Sequence, residues 1–341
     1  MTDVASRTTA KPKPESLHDI DINLTRAPEP KGPRLSALWS GAQARRDWRK
    51  HWVDDTVTGV ANVALHQVMR LLPPGWCSDI GAEIGPFVQR LYDKQFMGNR
   101  IRRNLALLTG DADPRLWWQN TGRVHAEFAA IDKLWAHGRI TVQGEDHLTA
   151  LREKGQRYIV ASVHLGTWEG LALILQQQFG VPVLAPYQPQ PNRFINRLIF
   201  RLRRGRGLIG LPPGQRSALL LHRLISSGAA TGYIMVDEVR DGLTHFPLFG
   251  RKPPDRGNAV LAVKLAQAAQ AVILPVVLLR QSGCTFALHF LPPVTPGSDG
   301  VTPALIRLNA VLEPIVRDHT DQWYMLTSLD VPKAAQTAKP G

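Results

Sequence analysis

Residues 157–170 read RYIVASVHLGTWEG, and the reading of this stretch decides the fold. Tyr158 to Val163 form a strand that is apolar on both faces, as a strand covered by helices on either side must be. The run ends at His164. Gly166 permits a tight turn, Thr167 suits a helix N-cap, and Glu169 then falls in the first helical turn. This order places His164 near the carboxyl end of a strand, where open α/β sheets bind their ligands.

Working outward, the same alternation repeats. Strands are expected at RITVQG, VPVLAPY, ATGYIMVDE, AVILPVVLL and CTFALHFL. Helices are expected from Glu145, from Thr167, over NRFINRLIFRLRR, RSALLLHRLISS and NAVLAVKLAQAAQ, and from Pro303 to about His319. Upstream, up to about His137, helical patterns dominate. The expected fold is α/β: a largely parallel mixed sheet flanked by helices, behind a helical N-terminal portion. The divisions expected are a disordered segment 1–33, a helical portion 34–137 with possible membrane-surface contact, an α/β core 138–331 and a disordered tail 332–341. The first is rich in Pro, Lys, Glu and Thr and shows no period, and the tail PKAAQTAKPG reads the same way.

The chain has 341 residues, 44% of them hydrophobic, enough to bury a sizeable core. Its two cysteines, Cys77 and Cys284, fit neither a disulfide framework nor a metal spacing, which points to a reducing, cytoplasmic setting. The formal charge of +13 favours polyanionic partners: nucleic acid, anionic lipid, an acidic carrier protein or phosphorylated substrates. No apolar run reaches the roughly 18 residues of a spanning helix, and no secretory signal opens the chain.

Between residues 34 and 52, Trp39, Trp48 and Trp52 interleave with Arg45, Arg46, Arg49 and Lys50. Such a mixture suits the headgroup layer of an anionic membrane; docking of the tryptophans on the protein's own core is the alternative. Next, Val57, Val60, Ala64, Val68 and Leu71 form the apolar face of an amphipathic helix, with Thr58, Asn62, His66 and Arg70 opposite. Pro73-Pro74-Gly75 ends it.

Gly205-Arg206-Gly207-Leu208-Ile209-Gly210 matches the dinucleotide fingerprint, yet it follows a cationic helix and runs into Leu211-Pro212-Pro213. No helix start is present to hold a pyrophosphate, so no nucleotide site is expected. Neither a P-loop nor a G-x-S-x-G elbow occurs.

Chemistry therefore rests on His164 and Glu169. A carboxylate in the first helical turn can accept from the imidazole Nδ1–H and leave Nε2 as a general base. This is the rear of a serine-hydrolase triad without its serine, and a substrate hydroxyl can take the serine's place in acyl transfer. The residues alone equally allow Glu169 as a carboxylate stabilising a helix start and His164 as a solvated strand end.

The H-x-x-x-x-E after an apolar strand resembles the signature of the lysophospholipid acyltransferase superfamily, and more narrowly of the late lipid A acyltransferases. Other pieces follow in that family's order. They are PYQPQPN ending at Asn192, Arg201-Leu202-Arg203, MVDE with Asp237, and Phe246-Pro247-Leu248-Phe249-Gly250. VKLAQAAQAVILPVVLLR ending at Arg280 comes next, then Asn309, Glu313 and Asp321-Gln322. The resemblance spans about residues 55–326. It implies transfer of a fatty acyl chain from acyl carrier protein, or from acyl-CoA, to a hydroxyl of a phosphorylated lipid, with no metal or other cofactor. His164 and Glu169 become the expected catalytic pair. Asn192, Arg201, Arg203, Asp237 and Arg280 become expected substrate-binding residues. The implied partners are acyl carrier protein and anionic membrane lipids, not nucleic acid, at the cytoplasmic face of a bacterial inner membrane.

Three departures stand out. The N-terminal helix is broken and polar, Val239 replaces the second Asp of the family's PDxD strand, and the ending WYMLTSLD lacks the family's basic residues. The last weakens lipid A as acceptor and brings in a glycerophospholipid, a glycolipid or an aminolipid. A rival of another class is a basic membrane-binding protein without catalysis.

Overall fold

Tyr158–Ser162 (β2) alternates its side chains between two cores: Ile159 and Ala161 face one, Val160 the other. Val272–Ser282 (β8), its neighbour, does the same with Ile273 and Val277 against Leu274 and Val276. This two-sided burial is what the apolar run demanded. Around this pair lie Ile140–Gln143 (β1), Val183–Pro186 (β3), Ile209–Leu211 (β4), Thr231–Met235 (β5) and Thr285–Phe290 (β9). The strand order is β1-β9-β8-β2-β5-β3-β4. All neighbours pair in parallel except β8 and β9, which Gly283 and Cys284 join as an antiparallel hairpin. The fold is the expected mostly parallel α/β sheet behind a helical N-terminal region. This computed structural model describes residues 20, 25–27, 29, 31–136 and 138–330.

In chain order the helices are Ala42–Arg49 (α1), Asp55–Leu71 (α2), Pro74–Tyr92 (α3), Phe96–Thr109 (α4), Arg115–Glu127 (α5) and Ile131–Ala136 (α6). Glu145–Glu153 (α7), Leu171–Phe179 (α8), Arg193–Gly205 (α9), Gln215–Ser227 (α10), Asn258–Ala268 (α11) and Val301–Asp318 (α12) follow. Side chains of α10, α11 and α12 fill one core, and those of α6, α7 and α8 the other. Two elements were not anticipated: the edge strand β4, and a hairpin of Val239–Arg240 (β6) with Leu243–Thr244 (β7). Both are two or three residues long, too short to show a period. The G-x-G-x-x-G stretch runs from the end of α9 into β4, the reverse of the strand-to-helix order a dinucleotide needs.

The expectations for the two chain ends lie almost wholly outside the described residues. The described part of the first segment touches the core: the Ala27 amide donates to the Tyr187 hydroxyl at 2.9 Å, and Ala27 is buried. Glu29 pairs with Arg197, and that contact with the Arg197 guanidinium holds its carboxyl down at about 2.

The N-terminal helices reverse the usual arrangement, in which an amphipathic helix turns its apolar stripe to the core. In α2 the buried positions are Gly59, His66 and Met69, while Val57, Val60, Val68 and Leu71 are exposed. In α3 the buried positions are Pro74, Cys77, Ser78, Gly81, Ala82 and Gly85. These small residues let α3 meet α5 backbone to backbone: a Cβ on Gly85 would lie 2.0 Å from the Trp118 carbonyl oxygen, and one on Gly81 2.4 Å from that of Gly122.

Gly85→Val puts three carbons where a backbone carbonyl already stands. It should cost about 1–3 kcal/mol or more by overpacking, read as a lower thermal unfolding midpoint. An unchanged midpoint would contradict the close crossing.

Candidate active site

Two adjacent parallel strands build the site. Ser162 of β2 is level with Met235 of β5, and the Val236 amide still donates to the Ser162 carbonyl at 2.8 Å. Two residues further along each chain come His164 and Asp237. Equal register therefore carries both side chains to the same height at the carboxyl edge of the sheet.

There the Asp237 carboxylate is fully buried and gathers three donors. His164 gives its backbone N–H to Oδ2 at 2.8 Å and its ring Nδ1–H to Oδ1 at 2.7 Å. The indole N–H of Trp323 reaches Oδ2 at 2.9 Å. Donation from Nδ1–H to the carboxylate fixes the tautomer and leaves the Nε2 lone pair as the basic site. Among the described residues, Nε2 meets no hydrogen-bonding partner, and the ring keeps 16% of its surface open. Trp168 packs edge-on to the imidazole, centroids 5.2 Å apart, and the Tyr324 amide caps the His164 carbonyl at 3.0 Å.

The structure does not place Glu169 against the ring. Gly166 adopts φ +51° so close to β8 that a Cβ would lie 2.2 Å from the Leu278 carbonyl oxygen, and the chain then enters a 3₁₀ turn, Trp168–Gly170, not an α-helix. Glu169 points to Arg203 at the end of α9, with Nη2 to Oε1 at 2.6 Å and Nε to Oε2 at 3.4 Å. Burial alone would lower the Arg203 pKa, but the Glu169 charge and hydrogen bond, with smaller contributions from Tyr233 and Tyr187, together outweigh it and hold the guanidinium above its ordinary range. Arg203 also lines a cavity of about 490 Å³ together with Tyr187, Ile199, Phe200 and Gly210.

Other expected contacts change as well. Thr167 makes no cap; its hydroxyl donates to Glu127, which forms a bidentate pair with Arg280 at 2.6 and 2.7 Å. Glu127 is fully buried and Arg280 nearly so, and Gln322 brackets the Arg280 backbone at 2.8 and 2.9 Å. Arg280 is thus a buried strut behind the His164 loop, not a group open to substrate. Asn192 is also committed: its Oδ1 caps α9 through the Phe194 amide at 2.9 Å, and its Nδ2 donates to the Asp55 carbonyl at 2.7 Å. Asp237 serves His164 instead of substrate. Arg201 remains exposed on α9, as does Arg204, and neither pairs with a carboxylate among the described residues. Asn309 and Glu313 anchor the Leu248 and Phe249 amides, each at 2.8 Å, so that loop is held by α12.

Sequence reasoning missed Trp323 and Glu127. The only signal for either is their type: a Trp just past the last long helix, and a Glu at the end of an otherwise semi-apolar helix. Neither reveals its partner, because those partners lie 86 and 153 residues away.

Two outcomes follow for stability. Glu127→Gln leaves the Arg280 cation buried without its counter-charge and should cost about 3–5 kcal/mol in denaturant unfolding. A loss below about 1 kcal/mol would mean that the pair does not brace the fold. Burial pushes the Glu238 carboxyl up to about 7, against the opposing Asn258 amide and helped by the Asp237 charge. Between 4.5 and about 7 the folded chain keeps a proton that the unfolded chain releases, so this group weakens the fold as pH rises through that window. Glu238→Gln should therefore raise the unfolding midpoint more at pH about 8 than at pH about 4. Equal offsets at both would contradict this.

No protein with a curated description matches the chain. A family model described as bacterial lipid A biosynthesis acyltransferase matches residues 49–329, which include every element of the site. The chain belongs to the bacterial lipid A biosynthesis acyltransferase family.

Proposed function

We propose that this acyltransferase moves a fatty acyl chain from the thioester of acyl carrier protein, or of coenzyme A, to a hydroxyl of a phosphorylated membrane lipid, with a lipid A precursor as the leading acceptor. The observation that carries this reading is the His164–Asp237 pair with a free Nε2 and, among the described residues, no serine, threonine or cysteine hydrogen-bonded to it. A general base without a protein nucleophile calls for a nucleophile brought by the substrate.

In the proposed reaction His164 Nε2 removes the acceptor's hydroxyl proton as the oxygen attacks the thioester carbonyl. The tetrahedral adduct collapses by breaking the C–S bond, and the imidazolium returns its proton to the departing thiolate. The ester bond formed replaces the thioester bond lost, and only the two co-substrates are consumed. Asp237 holds the ring in its reactive tautomer and stabilises the transient imidazolium. Glu169 acts through Arg203, fixing that guanidinium at the end of α9; Arg203 and the exposed Arg201 are suited to phosphate. The cavity along Phe200 and Ile199 supports a place for the acyl chain. Exposed Arg201 and Arg204, within a +13 chain, favour an acidic carrier as donor and anionic lipid as surroundings, at the cytoplasmic face of an inner membrane.

The experiment offers acyl carrier protein charged with a radiolabelled acyl chain to membranes holding tetra-acylated lipid A precursor or lysophosphatidate. Wild type, His164→Ala, Asp237→Asn and Glu169→Gln are run in parallel. His164→Ala and Asp237→Asn should each lose about 10² to 10⁴-fold in rate. Glu169→Gln should lose less in kcat and raise KM for the phosphorylated acceptor. Label on the lipid A precursor supports the full reading. Label on lysophosphatidate keeps the chemistry and moves the acceptor to a glycerolipid. Transfer that survives in His164→Ala would sink the mechanism.

A further inference from the structure

The stretch Gly205-Arg206-Gly207-Leu208-Ile209-Gly210, which has no helix start for a nucleotide, has a steric use. Gly207 takes φ +78°, and a Cβ on it would lie 2.7 Å from the Gln176 side-chain nitrogen; one on Gly210 would lie 2.8 Å from the Tyr187 ring. Both glycines line the cavity of about 490 Å³, with Leu208 and Ile209 between them. They let the Tyr187 ring stand directly against the β4 backbone.

From that position the Tyr187 hydroxyl binds a segment that precedes the family-matched residues 49–329. It accepts from the Ala27 amide at 2.9 Å and donates to the Thr25 carbonyl at 3.1 Å. Two residues on, Glu29 forms a bidentate pair with Arg197 of α9, Nε to Oε1 at 2.8 Å and Nη2 to Oε2 at 2.5 Å. Arg26 adds a third contact to that carboxylate at 3.0 Å. Ile20 packs against the core that α10, α11 and α12 fill, and Ile20 and Thr25 both line the cavity.

A backbone that only passed over the sheet would leave its polar groups to water. Here one hydroxyl takes an amide and a carbonyl, and a carboxylate grips the helix that forms another side of the cavity. We infer that the segment carrying Ile20, Thr25, Ala27 and Glu29 is a fixed wall of the cavity, and that this wall selects the acyl chain by length. The inference deepens the acyl-transfer reading and rests on it, since the acyl chain must lie in this cavity.

The physical reason is closure. A methylene that slides out into water gains nothing, whereas one that meets a wall is excluded, so a pocket discriminates by length only where it is closed. Ile20 and Thr25 supply a side that β4 and α9 do not. The Glu29 carboxyl, held down at about 2 chiefly by its hydrogen bond from Arg197, stays charged throughout the neutral range. The wall is therefore fixed and is not a lid that opens with pH.

The test displaces a fluorescent fatty acid from the full chain with laurate, myristate, palmitate and stearate, with neither donor nor acceptor present. Circular dichroism checks that each variant is folded. In wild type, affinity should rise with length to one optimum and drop about tenfold beyond it. Glu29→Arg sets like charges beside Arg26 and Arg197 and releases the segment, so the drop should disappear. The exchange Glu29→Arg/Arg197→Glu rebuilds the pair with its charges reversed and should bring the drop back. Ile199→Trp narrows the cavity from α9 and should move the optimum to a shorter chain. A profile that Ile199→Trp shifts and Glu29→Arg leaves unchanged would overturn the wall and keep the cavity as the acyl site. Displacement that neither variant alters would overturn both. Affinity that rises equally for every length in Glu29→Arg would also overturn the wall, because the segment would then plug the cavity without measuring the chain.

Discussion

The buried carboxylate of Asp237 is the point on which the site depends. A fully buried charge is tolerable only when hydrogen bonds replace its water, and here a backbone amide, an imidazole and an indole supply them. Each donor belongs to a different part of the architecture. The amide and ring come from the loop after β2, the indole from the segment after α12, and the carboxylate itself from the end of β5. One small group thereby ties the reactive loop, the sheet and the C-terminal segment together. The Trp323 backbone carbonyl in turn accepts from the Trp117 indole at 2.8 Å, which extends the linkage to α5.

Behind this loop stands a second buried charge pair, Arg280 with Glu127. Such a pair contributes little net stability over a well-packed apolar replacement, because desolvation of both charges offsets their attraction. What it gives is geometry. Arg280 sits on β8, Glu127 ends α5, and the Thr167 hydroxyl donates into the pair, so the His164 loop is fixed from the rear. The Gly166 backbone lies against β8 with no space for a side chain, which fixes the loop from below. His164 is thus held by hydrogen bonds and close packing on three sides while Nε2 stays open, the combination a general base requires.

The N-terminal helices reverse the burial pattern of the sheet domain. Their glycines and alanines face protein and their tryptophans, isoleucines and phenylalanines face outward. The small residues of α3 permit its backbone-to-backbone crossing with α5, and that crossing leaves the bulky side chains of the helix on the outer side.

The sequence by itself determined the layered fold. Apolar runs with both faces covered, broken by glycines and followed by 3.6-periodic segments, permit little besides a parallel α/β sheet, and His164 was legible as a group at a strand's carboxyl end. What only the tertiary structure decided was every pairing. Glu169 is five residues from His164 and Asp237 is 73 away, yet the ring meets Asp237, because β5 rather than the next strand in sequence lies beside β2. Arg280 reads as a free cation in the chain and is buried against Glu127; Val57, Val60 and Val68 read as the apolar face of an amphipathic helix and look outward. Periodicity reports local conformation, set by neighbours a few residues away. Strand order, partner choice and the direction a helix faces depend on contacts between distant residues, and those exist only once the chain has folded.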